Sequence, residues 1–178
     1  MNKITESDLK ILFDENLIKE KVQALASKLN EIYANEEISL ICVLKGSVLF
    51  MTDLAKYLKM PLKMEFIRLS SYGSGFTSTG KVNAVDISLP DLNDKNVLII
   101  EDIIDTGHTA KFLMDFINLN FHTKSLKFCS LLDKKVKREV NIDADFYCFE
   151  VDDKFLVGYG LDYDGYYRNL PYIGYVEV

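Results

Sequence analysis

Ile18, Val22, Leu25, Leu29 and Ile32 recur at intervals of three and four residues. That period puts all five on one side of a helix, so an amphipathic helix is expected early in the chain. The pattern then changes. ISLICVL (38–44) is a continuous apolar run, as in a strand buried on both faces. Lys45, Gly46 and Ser47 interrupt it, and SVLFMTDLAKYLK returns to helical spacing with Ser47 placed to cap it. LKMEFIRL (62–69) is a second strand. SSYGSGFTSTG (70–80) is polar and glycine-rich, which predicts a mobile loop. KVNAVDISL alternates as a strand does, DLNDKN is a turn, and NVLII is another buried strand. The helix TAKFLMDFINLNF and the strand SLKFCSLL (125–132) follow. ADFYCFEV and KFLVGY are β-like, and YIGYVEV is a last strand. Strands alternating with helices predict an α/β fold, a mostly parallel twisted sheet flanked by helices. Ligands of such sheets sit at the carboxyl ends of the strands.

The chain has 178 residues, which suits one domain spanning 1–178 with a sizeable core. Neither an internal repeat nor a low-complexity segment is visible. A net charge of -6 argues against a generic nucleic-acid binder, although it leaves room for a local anion site. Cys42, Cys129 and Cys148 form no CxxC pair, and an odd count supports neither a disulfide framework nor a zinc site. Reduced thiols in a cytosol are the simple expectation. MNKITESDLK lacks the apolar core of a signal peptide, and no apolar run has the length of a membrane span. A cytoplasmic protein bound to neither membrane nor nucleic acid is expected.

Two segments carry anion-binding chemistry. GFTSTGKV (75–82) nearly fits a P-loop, but Val82 stands where a hydroxyl should reach magnesium, and a strand pattern follows instead of a helix. It reads as a surface loop or a substrate lid. VLIIEDIIDTGHTA (97–110) is different: a buried strand runs into Glu101 and Asp102, then into Asp105, Thr106, Gly107, His108 and Thr109 where a helix begins. Unpaired N–H groups at a helix start favour an anion, Gly107 admits a close approach, and Thr106 and Thr109 add hydroxyls. Glu101 and Asp102 suit a sugar diol or a metal ion. Spacing alone leaves two readings: a cradle for a phosphorylated sugar with Mg²⁺, or a solvated strand end with Asp105 capping the helix.

VLIIEDIIDTGHTA resembles the phosphoribosyl-pyrophosphate (PRPP) motif of type I phosphoribosyltransferases. VLKGS (43–47), SSYGSGFTSTG, SLLDKK (130–135) and DKFLVGYGLDY (153–163) are similar, in order and spacing, to the bacterial hypoxanthine-guanine members of that family. The resemblance implies the family's fold, with a small hood formed by terminal segments. It implies transfer of phosphoribosyl from PRPP to a 6-oxopurine with Mg²⁺, by a homodimer or homotetramer. Asp105 matches the general acid/base at purine N7, and the turn from Asp105 to Thr109 the 5′-phosphate loop; in that loop His108 serves through its backbone N–H. Glu101 and Asp102 match the acids on the ribose hydroxyls and a magnesium ion. Lys45 and Gly46 match the pyrophosphate loop, whose leading peptide bond can be cis, and Arg168 a second pyrophosphate contact. Lys134 matches the donor to purine O6, which disfavours adenine because adenine presents a second donor there. Phe155 matches the ring that stacks on the base, Leu156 the backbone that reads its edge, and Asp162 both the acid that supports the second magnesium ion and a purine contact, through its backbone, to the amino group of guanine. Ser71 and Tyr72 match the lid. Asp133 matches no role. A nucleotide-sensing regulator on the same fold would need a basic face to bind RNA, which a net charge of -6 gives little sign of.

Overall fold

The computed structural model describes residues 5–71 and 82–176. In chain order the elements are β1 (Leu9–Phe13), α1 (Glu15–Tyr33), β2 (Ile38–Leu44), α2 (Val48–Tyr57), β3 (Leu62–Ser71), β4 (Val82–Asp86), β5 (Asn96–Ile104), α3 (His108–Asn120), β6 (Ser125–Asp133), β7 (Phe146–Glu150), β8 (Leu156–Val157) and β9 (Ile173–Val176). Six strands form the main sheet in the order β4-β3-β2-β5-β6-β7. Only the β3–β4 pair is antiparallel.

The continuous apolar runs explain the middle of this sheet. In β2 and β5, successive residues point to opposite faces, and both faces are covered. Leu40, Cys42, Leu98 and Ile100 join a core with Val22, Leu29, Phe50 and Leu54 from α1 and α2. Ile41, Val43, Val97 and Ile99 join the other core with Leu113 and Ile117 from α3. All the parallel strands end on one edge. The segments that follow β2, β5 and β6 therefore lie side by side, which is where such sheets hold ligands.

The hood is a three-stranded antiparallel sheet, β1-β9-β8, built from both ends of the chain. It packs on the α1/α2 side through Leu156, Leu161 and Ile173. Among the described residues no helix is long and apolar enough to cross a membrane.

Several local expectations shift. Ile32 is 51% exposed, and Ala26 and Tyr33 join the buried stripe of α1 instead. Ser47 precedes α2 but does not cap it with its side chain. Its hydroxyl donates back to Val43 O at 2.6 Å and lies 3.0 Å from Cys42 Sγ. β5 does not stop at Ile100 but continues through Glu101 and Asp102 to Ile104, because Glu101, Ile103 and Ile104 pair with Ser130, Leu132 and Asp133 of β6. KFLVGY supplies only the two residues of β8. The Gly-rich loop expected at 70–80 falls, from Tyr72 onward, outside the described residues.

Candidate active site

The carboxyl end of β5 places the acids. Glu101 is 8% exposed on the strand, and burial, then the charge of Asp102, raises its carboxyl well above the usual range. Asp102 is half-buried. Burial raises its carboxyl too, the backbone N–H of Ile103 and the charge of Arg168 lower it, and Asp162 raises it. Ile103 N–H donates to Asp102 Oδ1 at 2.9 Å.

Asp102 is wedged against the loop after β2. A Cβ on Gly46 would lie 1.5 Å from Asp102 Oδ2, so any other residue there would displace the Asp102 carboxylate. The Leu44–Lys45 peptide is cis, as the resemblance implied, and Lys45 is exposed. Gly160, with φ +103, meets the other side of this loop: a Cβ there would sit 1.9 Å from Gly46 O. The segment between β8 and β9 thus touches the loop after β2 at backbone distance. It also carries Asp162 and Arg168. Arg168 Nη2 lies 2.5 Å from Asp162 Oδ1, and its Nη1 donates to Gly160 O at 2.6 Å. The other Asp162 oxygen accepts from Gly165 N–H at 2.7 Å.

Among the described residues no three His, Cys, Asp or Glu side chains converge at metal-binding distance, so Glu101, Asp102 and Asp162 do not form a closed cage. The donors are nonetheless all carboxylate oxygens, and Asp162 is near enough to act on Asp102. That suits Mg²⁺, which keeps several waters and binds one or two carboxylates together with substrate phosphates.

Beyond Ile104 the chain turns into α3. Gly107 adopts φ +88 before the helix begins at His108. Asp105, Thr106, His108 and Thr109 are half-buried around this turn. Asp105 Oδ1 is enclosed and has no hydrogen-bond partner among the described groups. Its Oδ2 lies 3.9 Å from Lys134 Nζ. Lys134, at the end of β6, is 7% exposed, and its ammonium donates to Lys154 O at 3.0 Å. It therefore stands between the acid turn and the segment before β8. That segment presents Phe155, 43% exposed rather than in the core, with Tyr163 edge-on at 5.7 Å. Leu156 is buried beside it. His108 Nε2 contacts Glu139 Oε2 at 2.9 Å. Ser71 ends β3, and Tyr72 lies outside the described residues.

The structure thus gathers Lys45, Gly46, Glu101, Asp102, Asp162 and Arg168 at one place and Asp105 to Thr109, Lys134 and Phe155 at its neighbour. Two residues that went unassigned in the sequence belong here. Asp133 is fully buried and paired with Arg138, whose Nη1 donates to Asp105 O at 2.6 Å. The basic run DKKVKR hid Arg138; the one hint was a carboxylate, Asp133, at the end of an apolar strand.

Parallel strands with acids, an anion turn and a hood at one edge define a class. The chain belongs to the phosphoribosyl transferase family, whose domain matches residues 8–164. Within it, the chain is 42% identical over 173 residues to the hypoxanthine-guanine phosphoribosyltransferase of Streptococcus thermophilus, covering 97% of this chain and 96% of that protein. A crystal structure of a hypoxanthine-guanine phosphoribosyltransferase from Bacillus anthracis is 42% identical with TM-score 0.89, covering 94% of this chain and 98% of that one. The hypoxanthine phosphoribosyltransferase of Staphylococcus aureus is 38% identical with TM-score 0.91, covering 99% and 96%. The fold is that of the type I phosphoribosyltransferases, as expected.

Proposed function

We propose that the chain is a purine-salvage enzyme that transfers the 5-phosphoribosyl group from PRPP to hypoxanthine, and to guanine, giving IMP or GMP and pyrophosphate. Purine N9 bonds to ribose C1, the bond from C1 to pyrophosphate breaks, and the N7 proton passes to Asp105. One observation carries this reading: the Lys134 ammonium lies 3.9 Å from Asp105 Oδ2, whose partner oxygen Oδ1 is enclosed with no hydrogen-bond partner among the described residues, and donates to the carbonyl of Lys154, next in the chain to the exposed ring of Phe155. A proton acceptor, a donor and a stacking face are what a 6-oxopurine requires.

The remaining roles follow from position. Thr106 to Thr109 offer N–H groups and hydroxyls to the 5′-phosphate. Glu101 and Asp102 receive the ribose hydroxyls. Lys45, Gly46 and Arg168 receive the pyrophosphate, and the backbone of Leu156 reads the base edge. Glu101, Asp102 and Asp162 would hold Mg²⁺, which neutralises charge on the leaving group when bound. Ser71 and Tyr72 begin a lid that excludes water from the electrophilic ribose. We take residues 1–178 as one domain, because β1 and β9, near opposite ends of the chain, pair in one hood sheet. We place it in the cytoplasm, where its three unpaired thiols would stay reduced. Its assembly is taken to be a homodimer or homotetramer, which sedimentation would test.

The test is steady-state turnover with PRPP and Mg²⁺, offering hypoxanthine, guanine, xanthine and adenine in parallel. Hypoxanthine or guanine turnover, abolished by chelation, is the expected result. Adenine turned over faster than hypoxanthine would defeat the assignment of Lys134.

A further inference from the structure

The strap that follows β6 clamps the acid turn at three successive carbonyls. Lys134 N–H donates to Ile104 O at 2.9 Å, Arg138 Nη1 to Asp105 O at 2.6 Å, and Glu139 N–H to Thr106 O at 2.9 Å. In a trans peptide the C=O and the next N–H point in opposite directions. Fixing Asp105 O and Thr106 O toward the strap therefore aims the N–H groups of Thr106 and Gly107 away from it. Among the described residues, nothing accepts from either N–H. The middle clamp differs from its neighbours because it is a side chain. Arg138 is 12% exposed and its other arm pairs with Asp133, itself 1% exposed.

Stability does not account for this pair. A buried ion pair contributes little over apolar residues of the same shape unless all its polar atoms are satisfied. Here Arg138 Nε and Asp133 Oδ2 are enclosed without partners among the described residues. What the pair supplies is position. Asp133 orients the planar guanidinium, and the guanidinium fixes the peptide that joins Asp105 to Thr106. Gly107 is packed against the same strap: a Cβ there would lie 2.8 Å from Ile142, 2.9 Å from Val140 and 3.0 Å from Arg138 Cδ.

We propose that Arg138, oriented by Asp133, is a positioning residue that sets the Asp105 peptide so that the Asp105 carboxylate meets the purine while the Thr106 and Gly107 N–H groups meet the 5′-phosphate. This rests on the transferase reading. Neither side chain touches substrate. The Arg138 clamp couples two subsites through one peptide plane, so its loss weakens phosphate recognition and proton transfer together and leaves base stacking alone.

Arg138→Lys tests it. A lysine keeps the charge for Asp133 but has no planar fork to span both partners. Binding of IMP and of inosine is measured by calorimetry on native and variant protein, together with kcat and the KM for hypoxanthine. The expected result is a fall of about tenfold in the IMP-over-inosine affinity ratio, the loss of one charge-assisted hydrogen bond, with a similar fall in kcat and an unchanged hypoxanthine KM. A folded variant with the native ratio would overturn the proposal, since a merely structural role lowers the melting temperature without moving that ratio. Should the variant not fold, the native protein decides: the Thr106 and Gly107 amide resonances shift with IMP and with inorganic phosphate, and an equal response to inosine overturns the proposal. Native protein that binds IMP no better than inosine and turns over no purine overturns the transferase reading itself.

Discussion

Asp105 and Glu101 lie on the same short segment in different surroundings. Asp105 Oδ1 has no hydrogen-bond partner among the described residues, and Oδ2 lies 3.9 Å from the Lys134 ammonium; in the proposed reaction this carboxylate is the base at purine N7. Asp105→Asn keeps the shape and removes the base. Turnover should fall about 10²–10⁴-fold, the usual worth of a positioned acid or base, while PRPP affinity measured by calorimetry stays near native. Unchanged turnover would remove Asp105 from its role. Glu101 is a carboxyl that burial and Asp102 hold well above its ordinary 4.5. The folded chain therefore keeps a proton that the unfolded chain releases. Below 4.5 both states are protonated and nothing is lost; as pH rises past that value the unfolded state gains. Glu101→Gln is neutral throughout. In chelator and without substrate, it should melt higher than the native protein at about pH 8, and the gain should vanish toward the ordinary glutamate value. Its KM for PRPP should rise, because a ribose acceptor is gone. A variant that melts lower than native at the alkaline end would show that Glu101 is not held as described.

At the scale of elements, the segment between β8 and β9 meets the loop after β2 at backbone distance. Gly160 meets the Gly46 carbonyl where no Cβ fits, and its φ of +103 disfavours any L side chain. Gly160→Ala should cost about 1–3 kcal/mol of strain, a fall of roughly 2–10 °C in melting temperature for a chain of this size. It should raise the KM for PRPP more than that for hypoxanthine, because the displaced loop carries Lys45 and Gly46 and not Phe155. Equal effects on both substrates would mean that the hood moves as a whole. The elements themselves differ in how far the sequence reveals them. β2 was legible to the residue because burial on both faces leaves an unbroken apolar run. β5 was legible only to Ile100, since Glu101 and Asp102 look like a strand end until β6 is seen to pair beyond them. β1 was not foreseen. It is five partly exposed residues whose partner, β9, lies at the other end of the chain, so its pairing is absent from any local pattern. The acid turn was readable as a motif. Its clamp was not, because Arg138 matters only through a carbonyl that folding brings to it.

The molecule as a whole ties these parts through one sheet, and its thiols report on that sheet. Cys42 lies on β2, Cys129 on β6 and Cys148 on β7, so three strands each carry one probe. All three are free, and burial raises every one of them: Cys42 moderately, Cys129 strongly, and Cys148 to about 12. The thiolate is the reactive form, so at pH 8 Cys148 would present very little of it. Alkylation by iodoacetamide under native conditions should therefore wait for the sheet to open. Cys42 and Cys129 sit in the same core, and Cys148 packs against it, which predicts that all three react in one step with a common rate. Substrate should slow that step. PRPP with Mg²⁺ at a hundred times its Kd stabilises the closed state by about 2.7 kcal/mol, or roughly a hundredfold in the open population. Mass spectrometry of the time course distinguishes the outcomes. A common rate that falls with PRPP shows that ligand binding at the strand ends and opening of the core are one equilibrium. Early, PRPP-independent labelling of Cys148 alone would show instead that β7 opens by itself, and that the site is braced by β2, β5 and β6 without the edge strand.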